Sequence, residues 1–229
     1  LNRDVLVLRP LGYRLHPDKA PSAIAAAISN LGIPEDDDYI LYLGSGPRRE
    51  GDLSEECKSA CVKPVLVLID PKIGDHDLTK VDLRNAMLTA INRTSGGKCR
   101  GALISIRCKT WSVANFLPDG DGKPGQPWRD CDHMLGIPRN GALPREVEES
   151  NLESNHSAAI AIATASNGGF VMVEAPARRV GPKALPRHVL PDCDRAVHMF
   201  DHPAWSVFTS VTDASETVWD QCRMADDPR

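Results

Sequence analysis

A chain of 229 residues with 27 Lys+Arg against 31 Asp+Glu carries a formal charge of -4, and its 41% hydrophobic and 25% charged shares are those of an ordinary water-facing globule. These figures exclude a disulfide-stapled miniprotein, a mainly disordered chain and a histone-like polycation, so any nucleic-acid contact has to come from a local basic patch. Seven scattered cysteines, Cys57, Cys61, Cys99, Cys108, Cys131, Cys193 and Cys222, include no CxxC pair and read as reduced thiols in a nuclear or cytoplasmic setting.

The small-residue run Ala158 to Ala165 is far too short to span a bilayer, and no membrane partner is expected. The opening Leu1-Asn2-Arg3-Asp4 has neither an initiator Met nor a signal-peptide pattern. It reads as an excerpt of a longer polypeptide whose other domains would be partners.

In chain order, five short Val/Ile/Leu-rich runs bounded by Gly, Pro or Asp predict buried strands: Val5 to Leu8, Tyr39 to Leu43, Val65 to Ile69, Ala102 to Ile106 and Phe170 to Val173. Helices are predicted over Pro21 to Leu31, Leu53 to Val62, Leu78 to Ile91 and Arg145 to Ser166, the last interrupted near Asn151 or Asn155. Asp52 followed by Glu55 resembles a capping box at the second helix. Alternating strands and helices predict one α/β domain over 1–229, a doubly wound, mostly parallel sheet with helices on both faces. The segments 113–144 and 175–191, crowded with Gly, Pro and charge, are expected to be long functional loops.

The strand Tyr39 to Leu43 runs into Gly44-Ser45-Gly46, and the next strand ends at Asp70. In an open α/β sheet glycines at that turn let backbone approach a ligand, and a carboxylate one βαβ step downstream can accept ribose hydroxyls. A Gly-rich turn without a ligand is the alternative. The absence of Gly-Lys-Ser/Thr excludes a Walker A loop.

At the end of the fourth predicted strand, Arg107-Cys108-Lys109-Thr110-Trp111-Ser112 puts a thiol between two cations, which favour the nucleophilic thiolate. A buried inert cysteine is the alternative. The fifth strand ends in Glu174-Ala175-Pro176, where a carboxylate can serve as a general acid or simply as a polar strand terminus. Lys98 to Pro118 and Ala177 to Leu190 are basic and free of acids. The first holds Arg107, Lys109 and Trp111 and the second Arg178 and Arg179, which makes both candidates for phosphate contact and base stacking, or else solvated loops. Phe200 to Trp205 is expected to pack. Cys131 with His133, His198 with His202, and Cys57 with Cys61 have ligand-like spacings but no second pair, so no metal site is expected. Cys57 and Cys61, one helical turn apart, are expected to face a core.

The order of these features is similar to that of cytosine 5-methyltransferases, class I, Rossmann-like enzymes that use S-adenosylmethionine. Their P-C-Q-x-F-S loop is matched at Cys108 and Ser112 with Trp111 in the aromatic place, E-N-V is approached by Glu174-Ala175-Pro176, and Asp220-Gln221-Cys222-Arg223 resembles the start of Q-x-R-x-R. The likeness is closest to methylase-like domains of mobile-element-type proteins and runs from Tyr39 to Arg223. It implies that Cys108 attacks the ring of a flipped DNA cytosine, Glu174 engages the ring nitrogen and Arg223 assists. It further implies that Gly44, Ser45 and Gly46 line the methionine end of the cofactor, Asp70 holds the ribose and Asp77 lies against the adenine. Arg107, Lys109 and Ala175 depart from the family's Pro, Gln and Asn. A catalytically inactive Rossmann-like module binding nucleic acid or protein is the alternative, and a small-molecule thiol enzyme is a third reading.

Overall fold

The structure, a computed structural model, describes residues 26, 28–48, 50–74, 76–107, 109–116, 121–175 and 195–215. The expected strand over Val5 to Leu8 and the part of 175–191 beyond Ala175 lie outside the described residues. So do Cys108, Arg178, Arg179 and Arg223, and most of the expected helix Pro21 to Leu31, of which 26 and 28–30 are described as helical.

Four parallel strands form one sheet: β1 (Tyr39–Leu43), β2 (Val65–Ile69), β3 (Cys99–Ile104) and β4 (Phe170–Val173), in the order β2-β1-β3-β4. Parallel neighbours cannot be joined by tight turns, and helices α1 (Leu53–Ser59), α2 (Val81–Ile91) and α3 (Arg145–Ser166) supply the crossovers. The chain steps one way from β1 to β2 and the other way from β2 across β1 to β3 and on to β4. With right-handed crossovers this reversal puts α1 on one face of the sheet and α2 and α3 on the other. The fold is therefore α/β with an all-parallel sheet among the described residues.

The α2/α3 face is the dry one. Tyr39, Leu41, Leu43, Val67, Ile69, Ala102 and Ile104 project into it and are 4% exposed or less, while their alternate neighbours Ile40, Tyr42, Leu66, Leu68 and Leu103 are half-buried. On that second face Phe170 and Met172 of β4 stay about half exposed, and the Phe170 ring lies over Gly101, where a Cβ would come within 2.3 Å of it. Helix α4 (Pro203–Thr212) closes the core by packing on α3. Trp205 and Phe208 are buried there, and Phe200 and Phe208 make edge-on contacts with Trp205 at 6.0 and 5.7 Å.

β3 begins three residues before the expected Ala102 because Tyr39 and Ile40 recruit Cys99 and Gly101 into the ladder despite their poor strand character. It ends at Ile104 where the chain meets the β1 turn. Helix α3 is one unbroken stretch, a correction to the expected interruption. An Asn breaks a helix by bonding its own backbone, but Asn151 turns outward, donating to the Leu135 carbonyl at 2.9 Å and accepting from Arg129 at 2.8 Å. Most of the buried positions, Val147, Ser150, Ser154, Ser157, Ala158, Ala161 and Thr164, keep a helical period with small side chains, and so let α3 lie close against β3, β4 and α4. Helix α1 is shorter than expected: it stops at Ser59, and Cys61 is exposed with φ of 51°, so the pair Cys57 and Cys61 does not face the core together. Helix α2 starts at Val81, and Leu78 instead seats as a buried loop residue. Among the described residues no helix is long and apolar enough to cross a membrane.

Two buried histidines depend on neutrality. His202 is 2% exposed and caps α4 by accepting from the Ala204 amide at 3.2 Å, and burial, with Arg129 nearby, pushes its pKa down to about 4. His156, bonded to the Leu78 carbonyl at 2.8 Å, is shifted down by burial as well. The unfolded chain binds protons at these imidazoles first, so folding stability is complete above about pH 6.5 and falls as the pH drops toward 4. Chemical denaturation across that window is expected to show the decline. His202→Asn, which keeps a capping acceptor and does not titrate, is expected to flatten it, and an unchanged slope in this variant would refute the assignment.

Candidate functional site

All four strands end on the same edge, and each exit is tied to its neighbour. The Gly44 amide donates to the Ile69 carbonyl at 2.8 Å, Ser105 to Leu43 at 2.9 Å and Glu174 to Ile104 at 2.8 Å. Strand order reverses between β1 and β3, and the crevice outside that point is where open α/β sheets bind ligands.

Gly44 sits in this crevice with φ of +71°, and a Cβ there would lie 1.9 Å from the Ser105 carbonyl oxygen. Its glycine is required by the packing of two backbones. Gly46 differs: its φ is +74°, but a Cβ at this position would meet nothing within 4 Å, so its outward side is open. Asp70 is 7% exposed, and its two carboxylate oxygens accept from the Gly46 amide at 2.9 Å and the Lys72 amide at 2.8 Å. It holds the glycine turn in place. The turn continues into α1, where Asp52 caps by accepting from Glu55 at 3.1 Å, Glu55 reaches back to the Gly51 amide at 2.8 Å, and Arg48 pairs with Asp52. A cavity of about 270 Å³ opens above this turn, lined by Tyr42, Ser45, Gly46, Arg48, Asp52 and Leu68 among others.

The residues assigned to a cofactor therefore divide. Ser45 and Gly46 line the cavity and suit a close-lying ligand, while Gly44 is closed off by Ser105. Asp70 accepts one backbone N–H at each oxygen and so braces the turn, which leaves each oxygen one further acceptor position. Asp77 is bonded locally as well: its Oδ1 accepts from the Thr79 amide at 2.9 Å and hydroxyl at 2.7 Å, and Lys80 lies 3.5 Å from its Oδ2. Burial works to raise its pKa, but the Thr79 bonds and Lys80 outweigh it and hold the carboxyl below the usual range.

At the other side of the crevice Ser105 donates to the Glu174 carboxylate at 3.1 Å, joining the exits of β3 and β4. Cys108 lies outside the described residues, but the residues around it are fixed to α3. Arg107 donates through Nε to Glu153 at 2.8 Å and through Nη1 to Glu149 at 3.2 Å. Burial pushes the Glu153 carboxyl up, with Arg107 opposing. Thr110 donates to the Ser150 hydroxyl at 2.9 Å, and the Trp111 indole donates to the same oxygen at 3.1 Å. Trp111 is 5% exposed, with the Arg129 guanidinium 3.8 Å from its ring centroid and His202 edge-on at 5.8 Å. The expected surface stacking platform is thus a core residue, because its ring is covered. Arg107, although exposed, is paired with two carboxylates, so its charge is engaged by α3. Lys109 is exposed, as the nucleic-acid reading requires.

Four contributors were not singled out in the sequence: Ser105, the α3 pair Glu149 and Glu153, and Arg129. The i,i+4 spacing of the two glutamates on a helix facing a strand end was the available signal. No protein family, curated protein or solved structure matches this chain.

The two glycines predict different costs. Gly44→Ala is expected to lose several kcal/mol of stability, because backbone must move and φ is unfavourable, whereas Gly46→Ala should lose only about 1 kcal/mol from φ. Equal shifts in urea midpoint for the two variants would contradict the packing account.

Proposed function

We propose that this chain is a DNA cytosine 5-methyltransferase-like domain using S-adenosylmethionine, of the class I methyltransferase-like fold. The observation that carries the reading is the convergence at one sheet edge of an open glycine turn, the segment flanking Cys108, and Glu174 linked to β3 through Ser105. Bound there, S-adenosylmethionine would supply the methyl group. Ser45 and Gly46 would face it, while Glu174, oriented by Ser105, would meet the ring nitrogen of a flipped cytosine and Cys108 would act as nucleophile. The reading places the chain in a nuclear or cytoplasmic setting.

A second reading, a binding module without turnover, is supported by the structural role of Asp70, which braces the glycine turn whether or not a cofactor binds. Two measurements separate them. Titration calorimetry is expected to detect S-adenosylmethionine binding that Gly46→Leu abolishes by filling the open side of the turn. A duplex carrying 5-fluorocytosine is expected to trap a covalent adduct with the native chain and none with Cys108→Ser. No heat and no adduct would remove catalysis from the proposal and leave the binding module.

A further inference from the structure

Lys109 belongs to a cation pair that the sequence does not advertise. Its Nζ lies 5.6 Å from the ring centroid of Trp128, and the guanidinium carbon of Arg139 lies 4.4 Å from the same centroid. Trp128 and Arg139 are half-buried and Lys109 is exposed. Arg139 also donates through Nη2 to the Gln126 carbonyl at 3.2 Å, which fixes its orientation and leaves other N–H groups for a ligand.

Among the described residues, what separates this pair from its surroundings is solvent access without a carboxylate counter-ion. Between residues 100 and 145, Arg100 pairs with Asp38, Arg107 with Glu149 and Glu153, Lys123 with Asp121 and Arg145 with Glu149. Arg129 is buried among neutral acceptors, the Met134 carbonyl at 2.9 Å and the Asn151 amide oxygen at 2.8 Å among them, and burial pushes its pKa down to about 10. Lys109 and Arg139 have no carboxylate partner among the described residues. Two cations held by one indole, with no acid among the described residues to neutralise them, are already ordered for an anion and have little to lose on binding it.

From this geometry we infer that Lys109 and Arg139, displayed on Trp128, contact the phosphate backbone of DNA beside the mouth of the sheet-edge crevice. A pair with an exposed Lys109 and a half-buried Arg139 suits an extended polyanion better than a small anion, which would need an enclosing pocket. In a chain of net charge -4 a DNA contact has to be local. The inference rests on the DNA-directed reading above and adds the surface that would hold the duplex while a base is presented to the crevice.

The test is fluorescence anisotropy of a short labelled DNA duplex against the full chain without S-adenosylmethionine, over a range of salt concentrations. The native chain is expected to bind with a steep salt dependence. Lys109→Ala with Arg139→Ala is expected to weaken binding about tenfold or more at low salt and to lower the slope of log K against log[salt] by about 2. Lys109→Arg should bind as the native chain does, and Trp128→Leu should weaken binding with both charges present. Thermal unfolding of each variant identifies any that fails to fold, and Lys109→Ala alone, at an exposed side chain, keeps the test decisive with an expected slope change of about 1. An unchanged slope in the charge variants, binding to anionic phospholipid vesicles but not to DNA, or no DNA binding by the native chain overturns the inference. If the charge variants bind DNA like the native chain and the 5-fluorocytosine adduct still forms, this surface is wrong and the methylase-like reading survives. DNA binding lost in the variants with no adduct in the native chain gives the reverse.

Discussion

The approach of two backbones at the strand-order reversal constrains everything else at this edge. β1 and β3 are adjacent parallel strands whose chains leave toward opposite faces, and at Gly44 the departing backbone passes so near the Ser105 carbonyl that a single methyl would collide with it. That closeness is what brings the glycine turn and the segment before position 108 to a common mouth. Asp70 secures the arrangement from the β2 side by accepting from the Gly46 amide, so three strand ends act as one unit. A carboxylate that accepts two backbone N–H groups is a strong local brace. The side chain most suggestive of a ribose contact is thereby also the one that shapes the turn.

The far wall of the mouth is fastened by α3. Arg107 reaches Glu149 and Glu153, and Thr110 and Trp111 share the Ser150 hydroxyl, so residues on both sides of position 108 are attached to one face of a single helix. Arg129 extends the attachment to the 121–144 segment by bonding Thr110, the Met134 carbonyl and Asn151 while lying on the Trp111 ring. A long connection, irregular in sequence, is in this way held by a buried guanidinium instead of by regular secondary structure. Burying that cation among neutral acceptors is costly, as the depression of its pKa to about 10 indicates. The loss of Arg129 would leave several acceptors unpaired at once, which is the more expensive state.

Where sequence reading and structure agree, the reason is local. Tyr39–Leu43, Val65–Ile69 and Phe170–Val173 are short apolar runs closed by Gly, Asp or Glu, and both the pattern and its boundaries survive folding. Disagreements arise where partners distant in sequence decide. Asn151 carries a helix-breaking tendency that Leu135 and Arg129 absorb. Trp111 stands among basic residues and reads as surface, yet α3, Arg129 and His202 enclose it. Arg107 and Lys109 are alike in sequence as cations beside a cysteine, and only the tertiary placement of Glu149 and Glu153 pairs one and leaves the other without a carboxylate among the described residues. Trp128 gave no sign of its role because a cation–π partner across a turn has no sequence period.

This division of labour between Arg107 and Lys109 reconciles an acidic chain with a polyanionic partner. Charges more than about 10 Å from a contact are largely screened at physiological salt, so the net excess of acid acts weakly at the mouth of the crevice. What a phosphate meets there is set by the few charges within that radius. Glu149 and Glu153 are paired with Arg107 and Arg145, two cations against two carboxylates, which cancels them as a local negative field. The indole of Trp128 meanwhile holds Lys109 and Arg139 where no carboxylate among the described residues answers them. Pairing Arg107 with α3 thus serves both requirements at once, since it anchors the segment beside position 108 and helps to neutralise the acids that would otherwise repel a duplex arriving at the cations next to it.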